Sequence, residues 1–241
     1  MFRILSREAD SRMNNHKSLH INLALMAKAP RAGYVKTRLH KAFSPEQACD
    51  IYRCFLGRAG ALAESWQQIR PNIHLILAFD PPDKPHLWDA WNAWNRQAQS
   101  AGDLGDRLQS VVAYAESEEP SAVIFIGADA PELSVEHLDF ARENLLNHDA
   151  VMVPAFDGGY VLLGLYSRAK VLLNGINWGT DEVCGQTREI AHQAGLKLAE
   201  TPPISDVDTA DDVAELIDRL LSLPDENNNA LATALLKITH Q

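Results

Sequence analysis

The sequence predicts an α/β fold: a three-layer α/β/α sandwich built around a mostly parallel, mixed sheet. Short and nearly continuous apolar runs, typical of strands buried on both faces, alternate along the chain with segments of helical periodicity. The length of 241 residues allows one large domain of this class. A late pair of apolar runs around a glycine-containing turn predicts a hairpin, which adds an antiparallel strand to the sheet.

The composition argues against several classes of protein. Apolar residues at 46% and charged residues at 22% are ordinary globular values, which argues against global disorder. The net charge of −10 argues against broad binding of nucleic acid, which needs an extended basic surface. No apolar stretch reaches the roughly 18 residues of a membrane span, and the N-terminus lacks the apolar centre of a signal peptide. We therefore expect a cytoplasmic protein.

The first elements follow from capping and periodicity. Residues 1–18 are polar and mixed in charge and predict a flexible extension, ahead of a single domain over residues 19–222. The run 21–27 predicts a strand. Ser44 followed by Pro45 predicts a helix start, and a strand is predicted at 73–79.

The remaining elements continue the alternation. Tryptophans at helical spacing predict an aromatic-rich helix around 87–94, with the aromatic side chains in the core. We further predict a helix that opens at 102–107, a strand at 123–126, a helix from Ser134 to Leu146, a hairpin of 150–154 with 160–166, a helix at 181–194, a strand at 196–200 and a helix at 211–221. Residues 223–241 predict a helical tail that docks on the body or on a second copy, so a homodimer is possible.

A basic segment follows the first strand. It carries five cations at close spacing, Lys28, Arg31, Lys36, Arg38 and Lys41, in an otherwise acidic chain. Pro30 and Gly33 constrain its backbone, and Lys36-Thr37-Arg38 places two cations and a hydroxyl where a helix could begin. Ligands of open α/β sheets bind beyond the carboxyl ends of strands, so we interpret this segment as a phosphate site. The alternative is a solvated surface loop, because no standard phosphate-binding motif is present.

Two carboxylates are expected to lie close to this basic segment. Asp129 follows the strand at 123–126, and Pro131 prevents that strand from continuing. Asp206 and Asp208 precede the helix at 211–221, and we expect Asp208 to lie near Asp129. Mg²⁺ and Mn²⁺ bind through one or two carboxylates together with substrate phosphates. Asp129 and Asp208 are therefore the candidate metal ligands, and a capping role is the alternative for Asp129.

A third candidate segment lies in the predicted hairpin. Asp157, Gly158 and Gly159 are a turn signal, but the glycines also allow backbone amides to approach a substrate closely. Asp157 and Tyr160 would then contact the substrate or acceptor, and Trp178 is a weaker candidate for the same pocket.

The ordered motifs KAPRAGYVKTRL, GDLGDRL, GADAPEL, FDGGYVLLGL, NWGTDEV and DVDTADD cover about residues 20–222. Together they resemble the radical-SAM/selenodomain-associated transferase family, a branch of the GT-A glycosyltransferase superfamily also linked to arsenosugar biosynthesis. The resemblance implies a GT-A fold, Rossmann-like and of the nucleotide-diphospho-sugar transferase type, for the domain over residues 19–222. It also implies a divalent metal between donor phosphates and carboxylates. Asp103 of GDLGDRL joins the donor-binding candidates, and the first loop is similar to that of phospholactate guanylyltransferase.

These observations favour a metal-dependent transferase. Asp129 and Asp208 would hold Mg²⁺ or Mn²⁺, and Lys28, Lys36 and Arg38 would neutralise a nucleotide-sugar donor, with a small molecule as acceptor. The same residues would serve a nucleotidyltransferase that releases pyrophosphate. A nucleotide-binding domain without turnover is the non-enzymatic alternative.

Overall fold

We describe a computed structural model of the protein over residues 19–116, 122–223 and 225–240. The predicted extension, residues 1–18, lies outside the described residues. Within these ranges no helix is long and apolar enough to cross a membrane.

Within the described residues, seven strands form a single mixed sheet. Their bounds are Ile21–Lys28 for β1, Ile73–Asp80 for β2, Asn95–Ala98 for β3, Ala122–Gly127 for β4, Ala150–Pro154 for β5, Tyr160–Tyr166 for β6 and Leu198–Glu200 for β7. The strand order is β3-β2-β1-β4-β6-β5-β7. Strand β6 runs antiparallel to β4 and β5, whereas the other neighbouring pairs are parallel. The predicted mostly parallel sheet with a late antiparallel hairpin is confirmed.

Helices cover both faces of the sheet. Their bounds are Pro45–Ile69 for α1, Leu104–Glu116 for α2, Val135–Asn144 for α3, Val183–Gln193 for α4, Ala210–Ser222 for α5 and Glu226–Thr239 for α6. One apolar cluster joins one face of the sheet to α1, α3, α5 and α6, and a second joins the other face to α2 and α4. This arrangement is the predicted α/β/α sandwich.

Capping fixes where several of these helices begin. Ser44 forms a capping box with Gln47 at the start of α1, and Pro45 occupies the first turn, where its missing N–H costs nothing. Thr209 forms a second capping box, with Asp212, at the start of α5. The sequence predicted both starts from these residue types.

The predicted aromatic-rich helix is wrong. The segment Pro85–Trp91 is a 3-10 helix with a kink at Trp88, and it is followed by the short strand β3. The tryptophans are nevertheless core residues, as predicted, since Trp88 and Trp94 are buried. Strand β3 has the sequence NRQA, whose polar side chains give no apolar alternation, and for this reason the sequence did not predict it.

Candidate active site

The candidate site lies where two neighbouring parallel strands end. Strands β1 and β4 pair directly, and their carboxyl ends are followed by the basic segment and by Asp129 respectively. A cavity of about 950 Å³ opens at this edge of the sheet. Its volume is at the upper end of the roughly 300–1,000 Å³ typical of small-molecule sites. The chain order changes direction between β1 and β4, which is where ligands bind in open α/β sheets.

Lys36 brings the two candidate carboxylates together. Its Nζ lies 2.6 Å from Oδ1 of Asp129 and 3.1 Å from Oδ1 of Asp208. It also donates a 2.5 Å hydrogen bond to the carbonyl oxygen of Val207. Asp208 uses its other oxygen, Oδ2, to accept from Nη1 of Arg38 at 2.6 Å. The predicted proximity of Asp129 and Asp208 is therefore present in the fold.

Backbone contacts hold the two carboxylate loops in place. The Val207 amide donates to the carbonyl oxygen of Asp129 at 2.9 Å, which ties the loop before α5 to the loop after β4. The Asp208 amide donates to Oδ2 of Asp212 at 3.0 Å. Because Asp212 belongs to the cap of α5, the helix start itself positions Asp208.

Three cations of the basic segment have partners within the protein. Lys36 and Arg38 are paired with carboxylates, and the Arg31 guanidinium stacks 4.0 Å from the Tyr34 ring centroid. The side chain of Lys28 is exposed at the cavity. The pairing arises because the acidic loops after β4 and before α5 reach the same sheet edge.

Of the remaining donor-binding candidates, Thr37 and Asp103 line the cavity, whereas Pro30 and Gly33 do not. Thr37 lines the cavity at the start of a 3-10 helix, Thr37–Lys41. Gly33 has a φ of +83°, which allows the tight turn that carries the chain from β1 to Lys36. Pro30 does not line the cavity; its carbonyl accepts a 3.2 Å hydrogen bond from Nη2 of Arg53. Asp103 lines the cavity, and its Oδ1 accepts from the Asp106 amide at 3.0 Å, so it also caps α2.

The hairpin segment forms another wall of the cavity. Oδ1 of Asp157 accepts from the Gly159 amide at 2.8 Å, and this contact shapes the turn. Gly158 has a φ of +90° and lies directly against the backbone of Asp181, so this glycine has a structural role. Gly159 and Asp157 line the cavity, whereas Gly158 does not.

Tyr160 and Trp178 form an aromatic pair in this wall. Their ring centroids lie 6.2 Å apart in an edge-to-face arrangement, and both side chains line the cavity. The Tyr160 hydroxyl is buried and has no hydrogen-bond partner among the described residues. Burial is the main cause that raises the pKa of this phenol, and the nearby Cys184 raises the pKa further. The hydroxyl is therefore enclosed by the protein, although Tyr160 as a residue lines the cavity.

Three cavity residues were not singled out as first choices from the sequence. Asp206 lines the cavity, and burial together with the charge of Asp157 raises its pKa to about 6. Gln99 is buried, and its Nε2 donates to the carbonyl oxygen of Ala78 at 2.7 Å. Its Oε1 accepts from Nη1 of Arg107 at 3.3 Å. The arginine of GDLGDRL was the available signal for this pair, whereas Gln99 lies in no recognisable motif.

The donor set fits a divalent cation that is completed by substrate. Asp129 and Asp208 supply hard oxygen ligands that already surround one cationic group, the Lys36 ammonium. The described residues contain no group of three or more His, Cys, Asp or Glu side chains arranged to hold a metal. Mg²⁺ commonly binds one or two carboxylates and takes its other ligands from phosphate and water. The pair therefore suits Mg²⁺ or Mn²⁺ arriving with a phosphorylated substrate.

Comparison with solved structures defines the class of fold. The chain is similar to a "putative nucleotide-diphospho-sugar transferase" from Desulfovibrio desulfuricans G20, with 27% identity, a TM-score of 0.79, and coverage of 92% of this chain and 98% of that one. It shares its fold with a 4-diphosphocytidyl-2C-methyl-D-erythritol synthase from Anaerococcus prevotii DSM 20548, at 10% identity and a TM-score of 0.52 over 82% of this chain and 96% of that one. The protein thus has the nucleotide-diphospho-sugar transferase type of α/β fold.

The family comparison covers a shorter stretch. Residues 65–180, just under half of the chain, match the DUF2064 family, described as "Uncharacterized protein conserved in bacteria". No curated protein matches the chain. The fold expected from the motifs is therefore confirmed, whereas the radical-SAM and arsenosugar associations stay predictions.

Proposed function

We propose that the protein is a divalent-metal-dependent transferase that takes a glycosyl group from a nucleotide-diphospho-sugar. The observation that carries the proposal is the meeting of Lys36, Asp129 and Asp208 at the ends of β1 and β4. The similarity to the D. desulfuricans protein, which is described as a "putative nucleotide-diphospho-sugar transferase", supports it.

The carboxylates and the cations of the site have different roles at the donor: the carboxylates bind the metal, and the cations contact the phosphates. Asp129 and Asp208 would hold Mg²⁺ or Mn²⁺, which when bound stabilises the negative charge that develops on the leaving diphosphate. Lys28 and Arg38 lie at the cavity and neutralise the outer phosphate oxygens.

The hairpin wall serves the sugar or the acceptor. Tyr160 and Trp178 line this wall and offer aromatic surfaces to the substrate. Asp157 lies on the same wall and can accept from a hydroxyl group. This combination of flat apolar faces and polar edges suits a polyhydroxylated small molecule.

The test is the D129N variant assayed with Mn²⁺ and a panel of nucleotide sugars. Since the Asp129 carboxylate would act directly on the metal and the donor, we expect transfer or donor hydrolysis to fall about 100-fold or more, a scale typical of losing one electrostatic contact in the transition state. Circular dichroism would show whether the variant keeps its fold. D50N is the matched control, because Asp50 is a carboxylate on α1 outside the cavity. Unchanged turnover in D129N would contradict the assignment.

Nucleotidyl transfer is the second candidate. The Lys36-Thr37-Arg38 segment at the cavity favours it, because a triphosphate needs several closely spaced cations. The fold shared with a 4-diphosphocytidyl-2C-methyl-D-erythritol synthase is compatible with it. Pyrophosphate release from a nucleoside triphosphate and a phosphorylated acceptor would identify this reaction, whereas release of a nucleoside diphosphate identifies glycosyl transfer. Metal-dependent nucleotide binding without either product would indicate a binding domain.

A further inference from the structure

The Lys36 ammonium is fully occupied by protein acceptors. A lysine carries three N–H donors, and three oxygens lie within hydrogen-bond distance: Asp129 Oδ1 at 2.6 Å, Asp208 Oδ1 at 3.1 Å and the Val207 carbonyl at 2.5 Å. The Lys36 side chain is only 4% exposed, although the Asp129 side chain is 55% exposed. In this arrangement no donor of Lys36 is left for a phosphate.

This arrangement conflicts with a metal at the same place. A divalent cation on Asp129 and Asp208 would approach the same oxygens that the ammonium contacts. Two cations at so short a distance repel each other strongly, and burial strengthens that repulsion. The ammonium and the metal therefore compete for one carboxylate pair, and a contact to phosphate requires Lys36 to leave it.

We propose that Lys36 is an exchangeable internal cation, which neutralises Asp129 and Asp208 when no metal is bound and moves to the donor diphosphate when the metal takes its place. This inference rests on the proposed function, because it assumes that the metal and the diphosphate share the site. It gives Lys36 two positions and makes binding of the metal and the phosphate mutually dependent.

The surroundings permit such an exchange at the side chain alone. The backbone is fixed on both sides, by the buried side chains of Val35 and Leu39, and Lys36 itself has a left-handed backbone with a φ of +47°. The four methylene groups of the Lys36 side chain can rotate, so the ammonium can change position while the backbone stays in place. Both Lys36 and Lys28 line the cavity, so the second position lies within the same open space.

The first experiment measures Mn²⁺ binding by isothermal titration calorimetry. Removing one charged competitor in K36M should tighten Mn²⁺ binding about ten- to a hundredfold, the scale of charge-assisted hydrogen bonds. K237M is the matched control, because it removes the same charge from an exposed position on α6, outside the cavity and outside the basic segment. Affinity in K237M should stay within about twofold of the unaltered protein, since exposed charges are screened by salt.

The second experiment measures Mn²⁺ affinity with and without inorganic pyrophosphate. In the unaltered protein pyrophosphate should strengthen Mn²⁺ binding, because it gives the displaced ammonium a new partner. In K36M, pyrophosphate should strengthen Mn²⁺ binding by a smaller factor. Equal strengthening in both proteins would overturn the movement of Lys36 to phosphate.

Folding and the metal site itself are checked separately. K36M removes the ammonium from Asp129 and leaves Asp208 paired with Arg38, so Mn²⁺ should raise the melting temperature of K36M more than that of the unaltered protein. K36Q, which keeps a polar side chain, serves if K36M does not fold. Mn²⁺ binding that is equal, weaker or absent in the Lys36 variants overturns the exchange. Mn²⁺ binding that persists unchanged in D129N and D208N instead overturns the proposed metal site.

Discussion

Gly158 shows how one residue holds the hairpin wall of the cavity. Its φ is +90°, and a Cβ built on it would overlap the backbone of Asp181. We therefore expect G158A to lower the free energy of unfolding by about 1–3 kcal/mol or more, as for a residue forced into a strained conformation. Urea unfolding followed by tryptophan fluorescence measures the loss.

Gly175 provides the matched control for this prediction. Its φ is +71°, but a Cβ at this position would meet no heavy atom within 4 Å, so G175A reports only the backbone penalty. That penalty should be about 1–2 kcal/mol. Equal losses in both variants would show that the approach to Asp181 places no extra restriction on Gly158.

The contribution of Asp139 to the free energy of unfolding depends on pH, and this residue lies outside the cavity. Its Oδ1 accepts from Arg70 Nε at 2.8 Å and Trp66 Nε1 at 2.9 Å, and its Oδ2 lies 2.5 Å from Arg70 Nη2. The Arg70 contact is the main cause of the lowered pKa of this carboxyl. A lowered pKa contributes stability above the unfolded value of about 3.9, and the contribution is lost as the pH falls through the folded value.

The corresponding variant is D139N. We expect it to lower the free energy of unfolding by about 1–3 kcal/mol at pH 7, the range for hydrogen bonds to a charged group. The difference from the unaltered protein should shrink below about pH 4, as the Asp139 carboxyl becomes protonated, first in the unfolded and then in the folded chain. Chemical denaturation at several pH values measures it. D89N should change little, because Asp89 is an exposed partner of Arg96; a pH-independent D139N effect would contradict the account.

Residue types predicted the parts of the candidate site but not their contacts. Asp129 and Asp208 could be paired from sequence because each follows a strand that ends at the same edge of the sheet. The ion pairs of Lys36 with both carboxylates could not be predicted, because they depend on the hydrogen bond from the Val207 amide to the Asp129 carbonyl oxygen. Buried Gln99 was missed for a similar reason, since its role comes from backbone carbonyls of two strands.

At the scale of elements, apolar patterning predicted the buried strands and failed at the sheet edge. β1 is buried along most of its length, so its sequence is almost continuously apolar. Among the residues that the structure describes, the edge strand β3 pairs with β2 alone and needs no such pattern. Its sequence NRQA is therefore indistinguishable from a loop. The neighbouring tryptophans suggested one helix up to residue 94, whereas the chain forms a kinked 3-10 helix that ends at Trp91.

Helix α1 contains two glycines with opposite expected behaviour. A Cβ on Gly60 would overlap the Trp91 ring, whereas a Cβ on Gly57 would meet no atom within 4 Å. We expect G57A to stabilise the protein by about 0.5–1 kcal/mol, because alanine loses less backbone freedom in a helix. G60A should destabilise it, since the half-buried Trp91 ring, which packs edge-to-face on Trp94, must move. Thermal and urea unfolding of the two variants check the signs; stabilisation by G60A would contradict the described packing of Trp91.

At the scale of the whole molecule, the terminal helix α6 is joined to the sheet through α1 and α5. Leu235 of α6 is fully buried, and Asn228 accepts a 2.7 Å hydrogen bond from Arg58 of α1. L235A should therefore cost about 2–5 kcal/mol. It should also preserve one unfolding transition, observed together by tryptophan fluorescence and far-ultraviolet circular dichroism.

The control for this prediction is L223A, because Leu223 is half exposed and lies between α5 and α6. It should change stability by less than about 0.5 kcal/mol, as for surface positions away from special features. An early, separate transition in L235A would show that α6 unfolds independently of the sheet.

The contacts of Lys36 also set an order of events during synthesis. Its partners Val207 and Asp208 lie 171 and 172 residues further along the chain. A ribosome adds about 5–20 residues each second, so the basic segment waits on the order of ten seconds or more for these partners. Until then the nascent chain presents its basic segment without these later partners, and a chain that stops before residue 207 lacks two of the three acceptors that hold the Lys36 ammonium.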